Sequence, residues 1–255
     1  NSASPTHISP QLIHRMQTPC LADPAVDTKF DVSSDDVGAM LHAAGSGGLL
    51  FNPGQKTFSL KLQQRLWGLE AMLAREGLPG LVETVIGVNN LLILFDPLQM
   101  SEAALRQRIQ TLWPEAPDTP IAGREQLAYV DYGGEPGLDL REACERLGMS
   151  AEELATRHSE HTYTVACIGS MPGFGYLVGL PQELFLPRRR TPRMRVPQGS
   201  VMIGGLQTGI HPSLAPSGWD VLGQTGLTMF TPGAASPCLL APGDRVRFHI
   251  RSITP

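Results

Sequence analysis

The sequence predicts an α+β fold, in which a small N-terminal α/β unit, partly ferredoxin-like, precedes a β-barrel or sandwich. Three observations carry that prediction. Up to about residue 132, strand-like runs alternate with amphipathic helices in the order β-β-α-β-β-α-β. Loop 114–124, rich in proline and ended by Gly123, then marks a boundary. Beyond Ile168 the texture changes to short apolar runs punctuated by Gly and Pro, the mark of many short strands joined by turns.

The elements follow in order. Residues 1–27 have no period and read as a loose leader, with an N-terminal domain over 28–120 and a second domain over 121–255. Phe30-Asp31-Val32 and Gly48-Leu49-Leu50-Phe51 are the first strand candidates. Ser59 opens a helix whose Leu62, Leu66, Leu69 and Leu73 share one face, and Gly77 stops it. Leu81–Ile86 and Leu91–Phe95 read as strands joined through Val88-Asn89-Asn90, and Ser101 caps a second helix that Pro114 ends. Leu127–Tyr132 is a further strand. Two short helices follow, the second with a capping box of Ser150 and Glu153. Tyr163–Ile168 is a buried strand, and Val201–Gly204, Trp219–Leu222, Leu227–Phe230 and Arg245–Ile250 are strand candidates among the turns.

The composition excludes several classes of function. The 255 residues are 42% hydrophobic and 17% charged with a net charge of -4, which fits a globular chain with no global field for nucleic acid or an anionic membrane. No apolar run reaches signal-peptide or transmembrane length. Cys20, Cys144, Cys167 and Cys238 form no metal spacing and no dense framework, so reduced thiols in the cytoplasm are the expectation.

The candidate chemistry concentrates between Gly169 and Gly226. Five arginines (Arg188, Arg189, Arg190, Arg193 and Arg195) lie between Pro187 and Pro197, a segment stiffened by proline. Guanidinium forks pair with carboxylate or phosphate, so this is either an anion site or a solvated loop. Gly169–Tyr176 follows a strand directly, and Gly173 and Phe174 could offer backbone N–H groups to an oxyanion, the alternative being a plain tight loop. Gln207, Thr208, His211 and Trp219 sit beside glycines at strand ends, as amide recognition at a barrel mouth would need. Glu135 follows a strand and His158 ends a helix three residues before His161. Either could move a proton. His158 and His161, with Glu160, could suggest a metal pair, but no third ligand has the spacing, so a helix-end histidine pair on the helix dipole is the expectation.

In sequence order these pieces resemble the KipI / allophanate hydrolase subunit 1 family, which includes one of the subunits of bacterial 5-oxoprolinase and is related to the carboxyltransferase region of urea carboxylase. The resemblance rests on Tyr132–Glu135, Met171–Phe174 with Tyr176-Leu177, Gly179–Pro181, Pro187–Arg189, Thr191–Arg193, Val196-Pro197, Gly199–Val201, Gln207–Ile210, Gly218-Trp219 and Pro242–Arg245. It implies a cyclophilin-like barrel in the C-terminal domain. It also implies an ATP-dependent complex that opens 5-oxoproline to glutamate, with partners of the allophanate hydrolase subunit 2 and LamB/YcsF types. ATP with Mg would act at the level of that complex.

On this reading Arg188, Arg193 and Arg195 bind carboxylate or phosphoryl oxygens, Gln207 and Thr208 orient the amide, and Glu135 or His158 moves protons. His211 and Trp219 line the pocket, where His211 stands in place of the family's usual Tyr. The same resemblance admits two other roles: a KipI-like inhibitor of a sensor histidine kinase, and a carboxyltransferase component working with a biotin-carrying partner.

Overall fold

A computed structural model describes residues 40–53 and 57–255. The expected leader and the strand at Phe30–Val32 lie outside the described residues. Four strands, β1 (Leu41–Ala43), β2 (Gly48–Phe51), β3 (Leu81–Ile86) and β4 (Leu91–Phe95), form an antiparallel sheet in the order β1-β2-β4-β3. Helices α1 (Leu60–Glu76) and α2 (Glu102–Leu112) share one hydrophobic core with it. Both start where the sequence places them, because the hydroxyls of Ser59 and Ser101 each accept a backbone N–H of the first turn. Gly77 ends α1 in the left-handed conformation at φ 57°.

This unit is ferredoxin-like in part. β2 and β3 both run antiparallel to β4 and flank it, so β2-α1-β3 is a split βαβ unit. The edge beside β2 is filled by β1, which precedes the unit, and the strand after α2 joins the barrel.

The barrel closes in the order β10-β7-β6-β13-β5-β12-β9. Its strands are β5 (Glu125–Gly133), β6 (Thr162–Ile168), β7 (Gly175–Val178), β9 (Ser200–Gly204), β10 (Gln207–Ile210), β12 (Asp220–Thr225) and β13 (Arg245–Thr254). Pairing is antiparallel except between β13 and β5, which run parallel over nine residue pairs from Arg245↔Glu125 to Thr254↔Gly133. That long pairing carries β13 past the expected end at Ile250. A ribbon of β8 (Arg193–Val196) and β11 (Ala215–Ser217) lies outside the closed barrel. The expected strand at Leu227–Phe230 is instead loop, with one isolated bridge between Phe230 and Cys238.

Helices α3 (Leu140–Leu147) and α4 (Ala151–Ser159) pack their apolar faces into the barrel core. His158 of α4 enters that core. It is fully buried, stacks on Phe248 at 4.5 Å between ring centroids, and sets Nδ1 2.7 Å from the Tyr132 hydroxyl and Nε2 2.8 Å from Thr208 Oγ1. Thr208 already donates its own proton to the Met202 carbonyl at 2.8 Å. Its oxygen must therefore accept from Nε2–H, and Tyr132 must donate to Nδ1. A neutral imidazole satisfies every partner in this chain.

His158 and Thr208, expected in the active site, are thus internal cross-links of the barrel, sealed from any substrate. Cys144 and Cys167 are buried free thiols, Cys238 is a third free thiol, and burial pushes the Cys167 thiol up to about 12. Among the described residues no helix is long and apolar enough to cross a membrane.

Burial lowers the His158 imidazole to about 3, against about 6.5 in an unfolded chain. Between those values the unfolded chain binds one more proton than the folded one, so stability falls as pH falls through the window. The slope from this residue is at most about 1.4 kcal/mol per pH unit. Denaturant titrations of wild type and His158→Gln from pH 6.5 to 5 should show a shallower loss in the variant. Identical slopes would mean that His158 is protonated in the fold.

Candidate functional site

The cleft that gathers the predicted residues lies against the outer face of the barrel wall. Side chains alternate along β9 and β10: Val201, Ile203 and Ile210 join the interior core, while Met202 joins a separate cluster with Phe174, Val196, Trp219 and Val221. Two outward glycines make room for its rings. A Cβ at Gly204 would come within 2.5 Å of the Trp219 ring, and one at Gly209 within 3.0 Å of Phe174. Phe174, Tyr176 and Trp219 then pack edge to face, with centroids 5.0 to 6.0 Å apart.

Over this floor runs a strap, residues 187–192, that carries Arg188, Arg189 and Arg190 and leads into β8. The cleft beneath has a volume of about 280 Å³, and Arg188, Arg189, His211, Trp219, Phe174 and the 170–171 turn contribute to its lining. A hollow of about 410 Å³ between α3 and α4 is larger, but it is mostly apolar and holds none of the predicted residues.

Two buried carboxylates fix the strap. Asp139 and Asp220 have no exposed side-chain surface. The Arg189 Nη1 lies 2.8 Å from Asp139, 3.0 Å from Asp220 and 3.0 Å from Glu142. Arg193 wraps Asp139 through Nε and Nη2, and Arg146 holds both Asp220 oxygens at 3.1 Å. Burial works against the charge of Arg189, yet Glu142, Asp139 and Asp220 together hold it above its ordinary value. The hydrogen bond to Asp139 does the same for Arg193, while burial raises Asp220 against the pull of Arg146 and Arg189.

All three acidic partners of Arg189 meet Nη1. The Nε–Nη2 edge, the one that can grip a carboxylate with two parallel bonds, has no protein acceptor among the described residues, and Nε itself is buried. Arg188 is exposed, has no acidic partner among the described residues, and lies 5.9 Å from the Trp219 ring centre. Those two guanidinium groups are the available anion ligands.

His211 supplies the other open polar atom. Its Nδ1 sits 2.5 Å from the Ser213 carbonyl, and its Nε2 is buried without a hydrogen-bond partner. Burial keeps the imidazole below its ordinary value, although the carbonyls of Ser213 and Pro216 favour the proton. Beside it, Ser170 stands at φ 66° with Met171 N–H bonded to the Gly169 carbonyl at 2.7 Å. This γ-turn is a strained conformation for a residue with a side chain, costing on the order of 1–3 kcal/mol.

The structure therefore brings Arg188, His211, Trp219 and Phe174 together and separates the rest of the expected set. Arg193 is occupied by Asp139. Arg195 is exposed on the ribbon, Gln207 is half-buried at the turn of the β9–β10 hairpin, and Glu135 is exposed in the turn after β5. None of these three lines the cleft. The oxyanion-hole expectation also needs correction. The Phe174 N–H is bonded to the Met171 carbonyl at 3.1 Å, and Gly173 backs onto Met229 and Phe230.

Sequence reasoning missed Arg189 as a ligand. The signal that could have found it is acidic: Asp139 and Asp220 each stand beside apolar residues, where a carboxylate needs a cation.

The chain belongs to the family of the carboxyltransferase domain, subdomain C and D, whose model matches residues 39–240. Among curated relatives, a protein of Haemophilus influenzae named as a 5-oxoprolinase subunit is 42% identical over 195 residues, covering 76% of this chain and 90% of its own. Proteins of the same name from Escherichia coli O157:H7 and Bacillus subtilis are 40% and 33% identical, over 74% and 70% of this chain and 86% and 79% of theirs. The crystal structure of TTHA0988 aligns with a TM-score of 0.70 at 34% identity, covering 82% of this chain and 41% of that longer one. The Kluyveromyces lactis urea amidolyase aligns with a TM-score of 0.71 at 19% identity, over 83% of this chain and 15% of its own, a likeness of fold.

The two carboxylates and their half-exposed neighbour should behave differently on neutralisation. Asp139→Asn leaves Arg193 without its buried counter-charge and Arg189 with Asp220 as its one buried partner, and should cost about 3–5 kcal/mol in a urea titration. Glu142→Gln, at a side chain that is 50% exposed, should cost under about 1 kcal/mol. Equal losses would show that the buried network does not hold the strap.

Proposed function

We propose that this chain is a subunit of an ATP-dependent 5-oxoprolinase, opening the lactam 5-oxoproline to glutamate. The observation that carries the reading is the unpaired Nε–Nη2 edge of Arg189, in a cleft also lined by Phe174 and Trp219, in a chain whose curated relatives bear that name. A small carboxylated ring fits such a cleft: the carboxylate meets the guanidinium edge and the ring face lies on Trp219 and Phe174.

Arg188, free to swing over Trp219, adds a second positive charge at the mouth. Asp139, Asp220 and Glu142 hold Arg189 in place, so little freedom is lost when the substrate arrives. A lactam is stabilised by resonance. Transfer of a phosphoryl group to its oxygen would make the ring carbon open to water and couple the cleavage to ATP.

MgATP is assigned in this proposal to the assembled complex. Among the described residues no group of three or more His, Cys, Asp or Glu is placed to hold a metal ion. The partners are an allophanate hydrolase subunit 2-like protein and a LamB/YcsF-type protein, and the assembly works in the cytoplasm.

Co-expression with those two partners should give glutamate release that requires both 5-oxoproline and ATP. A well-folded complex without that activity would refute the proposal. Within an active complex, Arg188→Ala should raise KM roughly tenfold, the loss expected for one charged hydrogen bond. An unchanged KM would remove Arg188 from the site.

A further inference from the structure

His211 ends in an atom, Nε2, that has no hydrogen-bond partner among the described residues. Its Nδ1 faces the Ser213 carbonyl at 2.5 Å, and a carbonyl can only accept, so Nδ1 carries the ring proton. Nε2 is then a bare lone pair. It is buried without a partner on a residue only 1% exposed, and that residue lines the cleft. A buried acceptor left unmet is costly, and a ligand N–H would recover that cost.

Arg189 Nε is another buried, unmatched polar atom, and it lines the same cleft. The site thus offers a donor edge and a lone acceptor. In 5-oxoproline the carboxylate sits on the carbon next to the ring nitrogen, so one flank of the molecule shows an acceptor group beside an N–H. The lactam carbonyl lies on the other side of the nitrogen and stays free for activation.

We infer that His211 is a specificity-determining residue whose Nε2 accepts the substrate's ring N–H, so that the cleft selects cyclic amides bearing a free N–H beside a carboxylate. The inference rests on reading the cleft as the lactam site. A site built to hydrogen-bond a substrate N–H rejects the analogue that lacks it, because its buried polar atom is then left unpaired.

The test is the kcat/KM of the assembled complex for 5-oxoproline and for N-methyl-5-oxoproline, in wild type, His211→Gln and His211→Leu. Wild type should prefer 5-oxoproline by tenfold or more. His211→Gln, whose amide oxygen can still accept, should keep most of that preference, and His211→Leu should lose it.

Equal kcat/KM for the two lactams in wild type overturns the role of His211 and leaves the substrate reading standing. A preference that survives in His211→Leu overturns it as well, since discrimination would then come from bulk alone. Turnover of neither lactam overturns the substrate reading and the inference with it. The wild-type comparison needs no variant, so equal kcat/KM for the two lactams overturns the inference even if His211→Leu fails to fold.

Discussion

Two carboxylates out of reach of water, Asp139 and Asp220, organise the functional face of this protein. Their charges could not be buried alone, and they collect arginines from three separate segments: Arg146 on α3, Arg189 on the strap and Arg193 on β8. Asp139 also accepts the Val221 N–H at 2.9 Å and so ties the strap to strand β12 of the barrel. Desolvation offsets much of the Coulomb attraction in such a cluster, so its value lies less in net stability than in position. The proline-rich strap and the adjoining β8 together carry five arginines, which could adopt many poses of similar energy. The two aspartates select one, and in that pose the acids crowd one nitrogen of Arg189 and leave its bidentate edge open.

The second constraint joins the two units of the fold. The pairing of β6 with β7 slips between Val165 and Cys167, which leaves Ala166 as a bulge. Its carbonyl accepts from Gln63 Nε2 and Trp67 Nε1 of α1, both at 3.2 Å. Gln63 is buried and also grips the β3–β4 turn through Gly87 and Asn89, so one amide connects the helix, the hairpin and the barrel wall. Tyr176, next along the wall on β7, packs against both the N-terminal core and the aromatic cluster of the cleft. The N-terminal unit therefore buttresses the cleft from behind through the side chain that forms part of its lining.

The legible parts of the sequence were those in which a local signal decides the outcome. Ser59, Ser101 and Ser150 cap helices whose apolar faces repeat at helical spacing, and the uninterrupted run Leu91–Phe95 could only be a strand. Strand β10 escaped because Gln207-Thr208-Gly209-Ile210 has one large apolar residue. Its identity depends on the interior taking Thr208 and the outer wall needing a gap at Gly209 for Phe174, which are both long-range facts.

The run Leu227–Phe230 has the apolar pattern of a strand, but its pairing stops at one bridge, from Phe230 to Cys238. The arginines were legible as a group and not as individuals. Pro192 interrupts any alternation, so which guanidinium turns inward is set by aspartates far away in sequence. His158 was misread for a similar reason: a histidine at the end of a helix looks available until the barrel closes around it.

That closure also explains why the site lies outside the barrel. Small barrels fill their interiors with side chains, and this one spends its interior on Tyr132, Tyr163, Phe248 and the His158–Thr208 link. No room for a ligand remains there, and every polar atom in the chain from Tyr132 to Met202 is already paired. The outer wall is different. Where Gly204 and Gly209 remove side chains from it, the aromatic rings settle close to the backbone, and the β8–β11 ribbon with its strap covers them without filling the space between. The interior histidine has both nitrogens satisfied, whereas His211 on the wall has one satisfied and one open. The same residue type thus locks the fold in one place and lines the cleft with an unpaired nitrogen in the other, and the difference is how many of its hydrogen bonds the protein itself supplies.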